Sequence, residues 1–322
     1  MAATPVAGTT STTTSAPPPF GVPTRAEVMP KAQAENFTVA SLLLSRRERR
    51  ALLGIYGFAR LVDDIGDETT GDREAMLDWL QDDVARMFTG EPIHPLLRRL
   101  APSARELGFP ERAFLRLIAA NRQDQHVFRY STYEDLAAYC DLSANPVGEL
   151  VLNVFGAATP ERIRMSDFVC TGLQLAEHWQ DVGEDYERGR IYLPQEDLER
   201  FGVEEQELAA ASPSERLREL LAFEVERGRR LLDPGVELVR SFSGRAKLAI
   251  AGYVGGGRAA FDAIELSGYD VLRRAPKARG TERTKATVKV LLEARSARPR
   301  SGPVEGVWGN REVPPADRGE RR

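Results

Sequence analysis

Apolar residues in this chain recur with the period of a helix and almost nowhere with the period of a strand. Ala51, Ile55, Phe58 and Val62 stand at i, i+4, i+7 and i+11, the stripe that a helix turns toward a core. The same signal returns over 72–89, 110–128, 132–156, 164–187, 214–232, 236–270 and 283–295. Pro92, Pro102, Pro110, Pro160, Pro194 and Pro213 fall between these runs, where residues without an amide donor stop or start helices. The pattern predicts an all-α fold in a single helical domain spanning 25–298, with no internal linker. Outside it, the Thr-, Ser- and Pro-rich residues 1–24 read as a disordered arm. Residues 299–322 mix Arg, Pro and Gly without periodicity and read as a disordered tail.

Composition removes several classes of function. A net charge of −4 gives no general basic field for nucleic acid. Cys140 and Cys170 lie far apart with no CxxC, which argues against a disulfide scaffold or zinc site and fits a reducing compartment. His94, His126 and His178 form no HExxH. No run reaches the roughly 18 apolar residues of a membrane span, and residues 1–24 lack the basic and apolar regions of a signal peptide. The expected location is cytoplasmic, with the Arg-containing tail offering either a solvated end or a peripheral contact with anionic lipid at the inner face of the membrane. "GYVGGGRAA" at 252–260 follows no strand and lacks GxGxxG or GK[ST], so it is not a nucleotide loop.

The chemistry sits in two acidic segments. "DDIGDE" at 63–68 and "DVGEDYE" at 181–187 each place aspartates at i and i+4: Asp63 with Asp67, and Asp181 with Asp185. On a helix such residues differ by about 40° in azimuth and share a face. Extended backward, one face reads Tyr56, Arg60, Asp63, Asp67; the other reads Gln174, His178, Asp181, Asp185, with Glu177 beside it. A single DxxxD suits a solvated helix end. Two such faces repel each other unless cations lie between them, and carboxylate oxygens with substrate phosphate are what Mg²⁺ takes. The pattern points to metal-assisted departure of a diphosphate beside a cavity that shelters a carbocation.

These segments resemble the two aspartate-rich motifs of the head-to-head prenyl synthases, the squalene/phytoene synthase family. "QLAEHWQDVGEDYERGRIYLP" is similar to the second motif with its Arg-Ile-Tyr-Leu-Pro continuation, and the likeness runs from Glu35 to about Leu292. The resemblance implies an isoprenoid-synthase fold around a central cavity, with three Mg²⁺ held by Asp63, Asp67, Glu177, Asp181 and Asp185. Glu177 stands where many relatives carry Asn, and a salt bridge at the cavity rim is its alternative role. Tyr139 matches a tyrosine near the reacting centre, where it would face a cation or steer a proton; a core tyrosine with a satisfied hydroxyl is the alternative. Tyr56, Arg60, Gln174, Tyr269 and Asn36 form the expected diphosphate-binding set. Arg60 offers forked donors suited to phosphate, or else a salt bridge along its own helix to Asp63 or Asp64.

Three stretches (35–68, 129–152 and 255–272) are most similar to the bacterial branch that opens presqualene diphosphate to hydroxysqualene for hopanoid synthesis. Condensing members usually carry a Ser-x-Ser-Phe segment; here the place reads Ala34-Glu35-Asn36-Phe37. Loss of two hydroxyls weakens the grip on a second diphosphate. The expected activity is therefore Mg²⁺-dependent ionisation of presqualene diphosphate and capture of the rearranged cation by water, without a nicotinamide. A condensing squalene or phytoene synthase is the first alternative and a non-catalytic prenyl-lipid binder the second. The partners implied are the prenyl diphosphate and pathway enzymes that make presqualene diphosphate and reduce hydroxysqualene.

Overall fold

A computed structural model describes residues 17–19, 21–30 and 44–296. Among these the chain forms α1 (Arg25–Val28), α2 (Arg46–Asp67), α3 (Arg73–Thr89), α4 (Pro95–Leu107), α5 (Glu111–Gln123), α6 (Tyr133–Ser143) and α7 (Asn145–Val154). There follow α8 (Pro160–Gln180), α9 (Val182–Glu187), α10 (Gln195–Phe201), α11 (Glu215–Leu231), α12 (Pro234–Arg240), α13 (Gly244–Leu266) and α14 (Gly280–Ser296). The only β-type pairing among the described residues is one isolated bridge, Arg129 to Ile191. The all-α expectation holds.

Two long helices carry the acidic segments. Ser45 starts α2 with a capping box, its hydroxyl accepting from the Glu48 amide while the Glu48 carboxylate accepts from the Ser45 amide. Ala51, Ile55, Phe58 and Val62 are all essentially buried, so the predicted stripe is the core face. A Cβ on Gly54 would come within 2.7 Å of the Leu100 side chain, so glycine lets α4 approach closely. Helix α8, opened by a Thr159 cap and Pro160, packs against α7, α11, α12 and α13. Helix α7 touches both α2 and α8 and holds them as the two walls of one body.

Several boundaries differ from expectation, each for a local reason. Pro102 lies inside α4, which the sequence pattern did not anticipate; its ring is exposed and costs one helical bond on the solvent side. The run 132–156 divides at Ala144, where Pro146 opens a new helix. The run 236–270 divides between Arg240 and Gly244, which has φ of 56°. The run 164–187 breaks at Asp181. Gly156, just past the end of α7, takes φ of 62°, and a Cβ there would meet nothing within 4 Å. Residues 21–24, assigned to the arm, lie against the body. Pro23 is buried and its carbonyl accepts from His94 Nε2 at 2.9 Å, while His94 Nδ1 accepts from the Leu96 amide. Most of the two expected tails, 1–16 and 299–322, lies outside the described residues. No helix among the described residues is long and apolar enough to cross a membrane.

Candidate active site

The end of α2 sorts its four acids by azimuth. Asp64 turns inward, 2% exposed, and binds Arg60 Nε at 2.8 Å; Glu68 takes Arg60 Nη2 at 2.6 Å. Asp63 and Asp67 share the outward face, as their spacing requires. Asp63 Oδ1 accepts from Asn121 Nδ2 at 3.2 Å, and Asp67 Oδ1 pairs with Arg190 Nη2 at 2.7 Å. Gly66 makes the first of these possible, since a Cβ there would collide with the Asn121 amide. Asp63 keeps accessible surface on that face.

The second segment is a junction rather than a continuous helix. Helix α8 ends at Gln180, Asp181 takes φ −104° and ψ 15°, and α9 begins at Val182. The Asp185 amide still donates to the Asp181 carbonyl at 2.8 Å, so the pair remains one turn apart. The break is shaped by residues 270–277, which cross this point. A Cβ on Gly183 would run into the Leu272 carbonyl, and Gln180 Nε2 donates to the Pro276 carbonyl.

Electrostatics show that the two segments share one field. Burial, then the charges of Asp67 and Glu177, push the Asp63 carboxyl up to about 7, against the hydrogen bond from Asn121 and the charge of Arg60. Burial, then Asp181 and Glu177, push Asp185 up to about 7, against Arg188 and Arg190. Asp181 is raised as well, by burial and Glu184, with Lys277 and Arg188 opposing. Glu177 thus acts on a carboxyl of each motif.

Beside the acids stands an aromatic wall. His178 stacks on Tyr192 with centroids 3.7 Å apart, and Tyr139 lies 5.5 Å from Tyr130 and 5.9 Å from Tyr192. Burial, then Arg190, pushes the His178 pKa down to about 3, so its ring is neutral. Gln174 Nε2 lies 3.3 Å from its Nε2. The Tyr139 hydroxyl donates to Asp124 Oδ2 at 2.8 Å. His178, Asp185, Arg190 and Tyr192 line a common recess with Val182 and Leu208.

The structure therefore gathers Asp63, Asp67, Glu177, Asp181 and Asp185, with Gln174 and Tyr139 alongside. Tyr56 and Arg60 are half-buried on the α2 face, with Arg60 engaged by Asp64 and Glu68. Tyr269 stands at φ 61° after Gly268, and the charges acting on it are Glu265 and Arg229 rather than the motif aspartates. Asn36 and Ala34 lie outside the described residues. Sequence reasoning missed Asn121, Asp124 and Arg190. Arg190 opens the Arg-Ile-Tyr-Leu-Pro run and was legible there as a motif residue, though not as the partner of Asp67. Among the described residues no three Asp, Glu, His or Cys side chains stand close enough to hold a metal ion as they are. The donor set is nevertheless all oxygen and crowded with like charge, which is the chemistry a hard divalent cation matches.

An all-helical body that sets two acidic helix ends beside an aromatic wall has an isoprenoid-synthase fold. The chain belongs to the squalene/phytoene synthase family, whose model matches residues 30–282. It is 35% identical to a hydroxysqualene synthase from Rhodopseudomonas palustris over 62% of this chain and 69% of that protein. It is 30% identical to a 15-cis-phytoene synthase from Synechocystis over 75% and 76% of the two chains. The crystal structure of squalene synthase HpnC from Alicyclobacillus acidocaldarius is 41% identical, with a TM-score of 0.71 over 75% of this chain and 92% of that one. A dehydrosqualene synthase in complex with ligand shares the fold, with a TM-score of 0.76 at 22% identity.

Proposed function

We propose that this protein is a hydroxysqualene synthase: it ionises presqualene diphosphate, lets the cyclopropylcarbinyl cation rearrange, and admits water to the final allylic cation. The balance is one presqualene diphosphate and one water giving hydroxysqualene and diphosphate, with no reductant. The observation that carries the reading is the field shared by Asp63 and Asp185 through Glu177, set against a wall of neutral aromatic rings. Mg²⁺, three ions on this reading, would be held by Asp63, Asp67, Glu177, Asp181 and Asp185 and would neutralise the charge developing on the departing diphosphate.

The chain's own residues supply the rest. Arg190 holds Asp67 in place and spreads positive charge toward Asp185. Tyr130, Tyr139 and Tyr192 present π faces to a carbocation, and neutral His178 avoids repelling it. The lost hydroxyls at Ala34 and Asn36 favour an already joined substrate over two separate prenyl diphosphates. Similarity to phytoene synthases over three quarters of the chain supports a second reading, condensation of two prenyl diphosphates.

The test supplies presqualene diphosphate and farnesyl diphosphate separately with Mg²⁺, in ¹⁸O-labelled water, and identifies extracted lipids by mass spectrometry. Labelled hydroxysqualene from the first and little product from the second is the expected result. Efficient coupling of farnesyl units would replace this reading with the condensing one, and absence of diphosphate release from both would leave a lipid binder.

A further inference from the structure

We propose that Asp124 is the proton acceptor for the water that captures the cation, an inference that rests on the hydroxysqualene reading. Asp124 closes α5 one turn after Asn121, the residue bonded to Asp63, so it lies just behind the acidic site. It is 6% exposed. One oxygen, Oδ2, accepts from the Tyr139 hydroxyl at 2.8 Å; the other, Oδ1, is buried without a hydrogen-bond partner among the described residues. A buried carboxylate oxygen left open is costly, on the order of 1–3 kcal/mol, so such an atom calls for a reason. The surrounding groups are those a cation and one water require. Tyr130 and Tyr192 flank Tyr139 at 5.5 and 5.9 Å, and Arg190 supplies an opposing charge. Burial holds the Asp124 pKa up to about 6, against Tyr139 and Arg190, so the carboxylate is still mainly ionised near neutrality and more basic than an ordinary aspartate.

In the step, the water oxygen bonds to the allylic carbon while one O–H bond breaks toward Oδ1. Cation, water and carboxylate become alcohol and carboxylic acid, and the acid returns its proton to solvent after product leaves. Tyr139 is then a positioning residue, fixing the carboxylate through Oδ2. This role is separate from ionisation, which Asp124 does not serve.

The experiment compares diphosphate release with product composition for wild type, Asp124→Asn, Asp124→Glu and Tyr139→Phe, given presqualene diphosphate and Mg²⁺ in ¹⁸O-labelled water. Asp124→Asn is expected to keep diphosphate release within about fivefold while the labelled alcohol falls at least tenfold, with the carbon recovered as hydrocarbons formed by proton loss. Asp124→Glu should restore part of the alcohol. A parallel fall of both readouts, or an unchanged alcohol share, overturns the assignment. If Asp124→Asn fails to fold, Tyr139→Phe decides by the alcohol formed per diphosphate released, whatever its overall rate: a reduced share supports the role, and an unchanged share overturns it. A wild type that releases diphosphate but makes no alcohol overturns the hydroxysqualene reading itself.

Discussion

Replacing Asp63 by asparagine is expected to stabilise the metal-free protein at high pH while removing its capacity to release diphosphate. Asparagine keeps an oxygen for Asn121 Nδ2, 3.2 Å away, and deletes only the charge. Burial and the charges of Asp67 and Glu177 raise the Asp63 carboxyl to about 7 from 3.8. For an acid, that direction means folding opposes ionisation. Below the unfolded pKa the group is protonated in both states and costs nothing. As pH rises, the unfolded chain ionises first, and the penalty is complete only above the folded pKa of about 7. A shift of roughly three units corresponds to at most about 4 kcal/mol. Asp63 retains accessible surface, so solvent screening reduces this to about 1 kcal/mol. Urea unfolding followed by far-UV circular dichroism, with chelator present, should show the variant more stable by about that amount near pH 8 and by about a third of it near pH 5. Adding Mg²⁺ should reverse the order, because only the wild type gains the full binding energy. A variant less stable than wild type near pH 8, or an offset equal at both pH values, would refute the electrostatic account.

Arg190→Met should lower diphosphate release by a factor on the order of 100 with little change in helical content, since it removes the cation from Asp67 and from beside Asp185; a rate within about fivefold of wild type would show that Arg190 is only structural. Removing residues 1–16 should leave the melting behaviour unchanged, whereas removing 1–24 should cost about 1–3 kcal/mol by stranding buried His94 without the Pro23 carbonyl. Urea melts of the two truncations check this, and coincident curves would contradict the anchoring contact.

Local pattern and remote contact account for what was legible. The stripe on α2 and the DxxxD spacing are helix geometry, so Ala51, Ile55, Phe58 and Val62 fall inside while Asp63 and Asp67 fall outside, as 3.6 residues per turn demands. The break at Asp181 was not legible, because its shape depends on Leu272 crossing over Gly183, some ninety residues downstream. Pro102 misled for the opposite reason: proline is a strong breaker in general, yet an exposed ring on a helix that His94 caps and Pro95 opens is tolerated. Tyr139 is legible through its motif, whereas its partner Asp124 stands in no motif and is tied to the site only where the fold brings the two within hydrogen-bond distance.

The two arginines show why the cation of the site had to be found in space. Arg60, three residues before Asp63, is the obvious phosphate partner when the chain is read along its length. On the folded helix it faces Asp64 and Glu68, and those two carboxylates hold it at 2.8 and 2.6 Å. Asp64 is buried, so removing Arg60 would take an ion-pair partner from a carboxylate inside the body, a structural demand that ties Arg60 to the α2 wall. Arg190 arrives from beyond α9, only 14% exposed, and reaches Asp67 at 2.7 Å. Its charge also acts on Asp185, Asp124, Tyr192 and His178, which come from the second motif, from α5 and from the aromatic wall. One guanidinium therefore offsets repulsion between two acidic helix ends and biases every polar group around the recess. The acids of the site are encoded by helical spacing, and the charge that allows them to coexist is encoded by how the chain after α9 folds back across them.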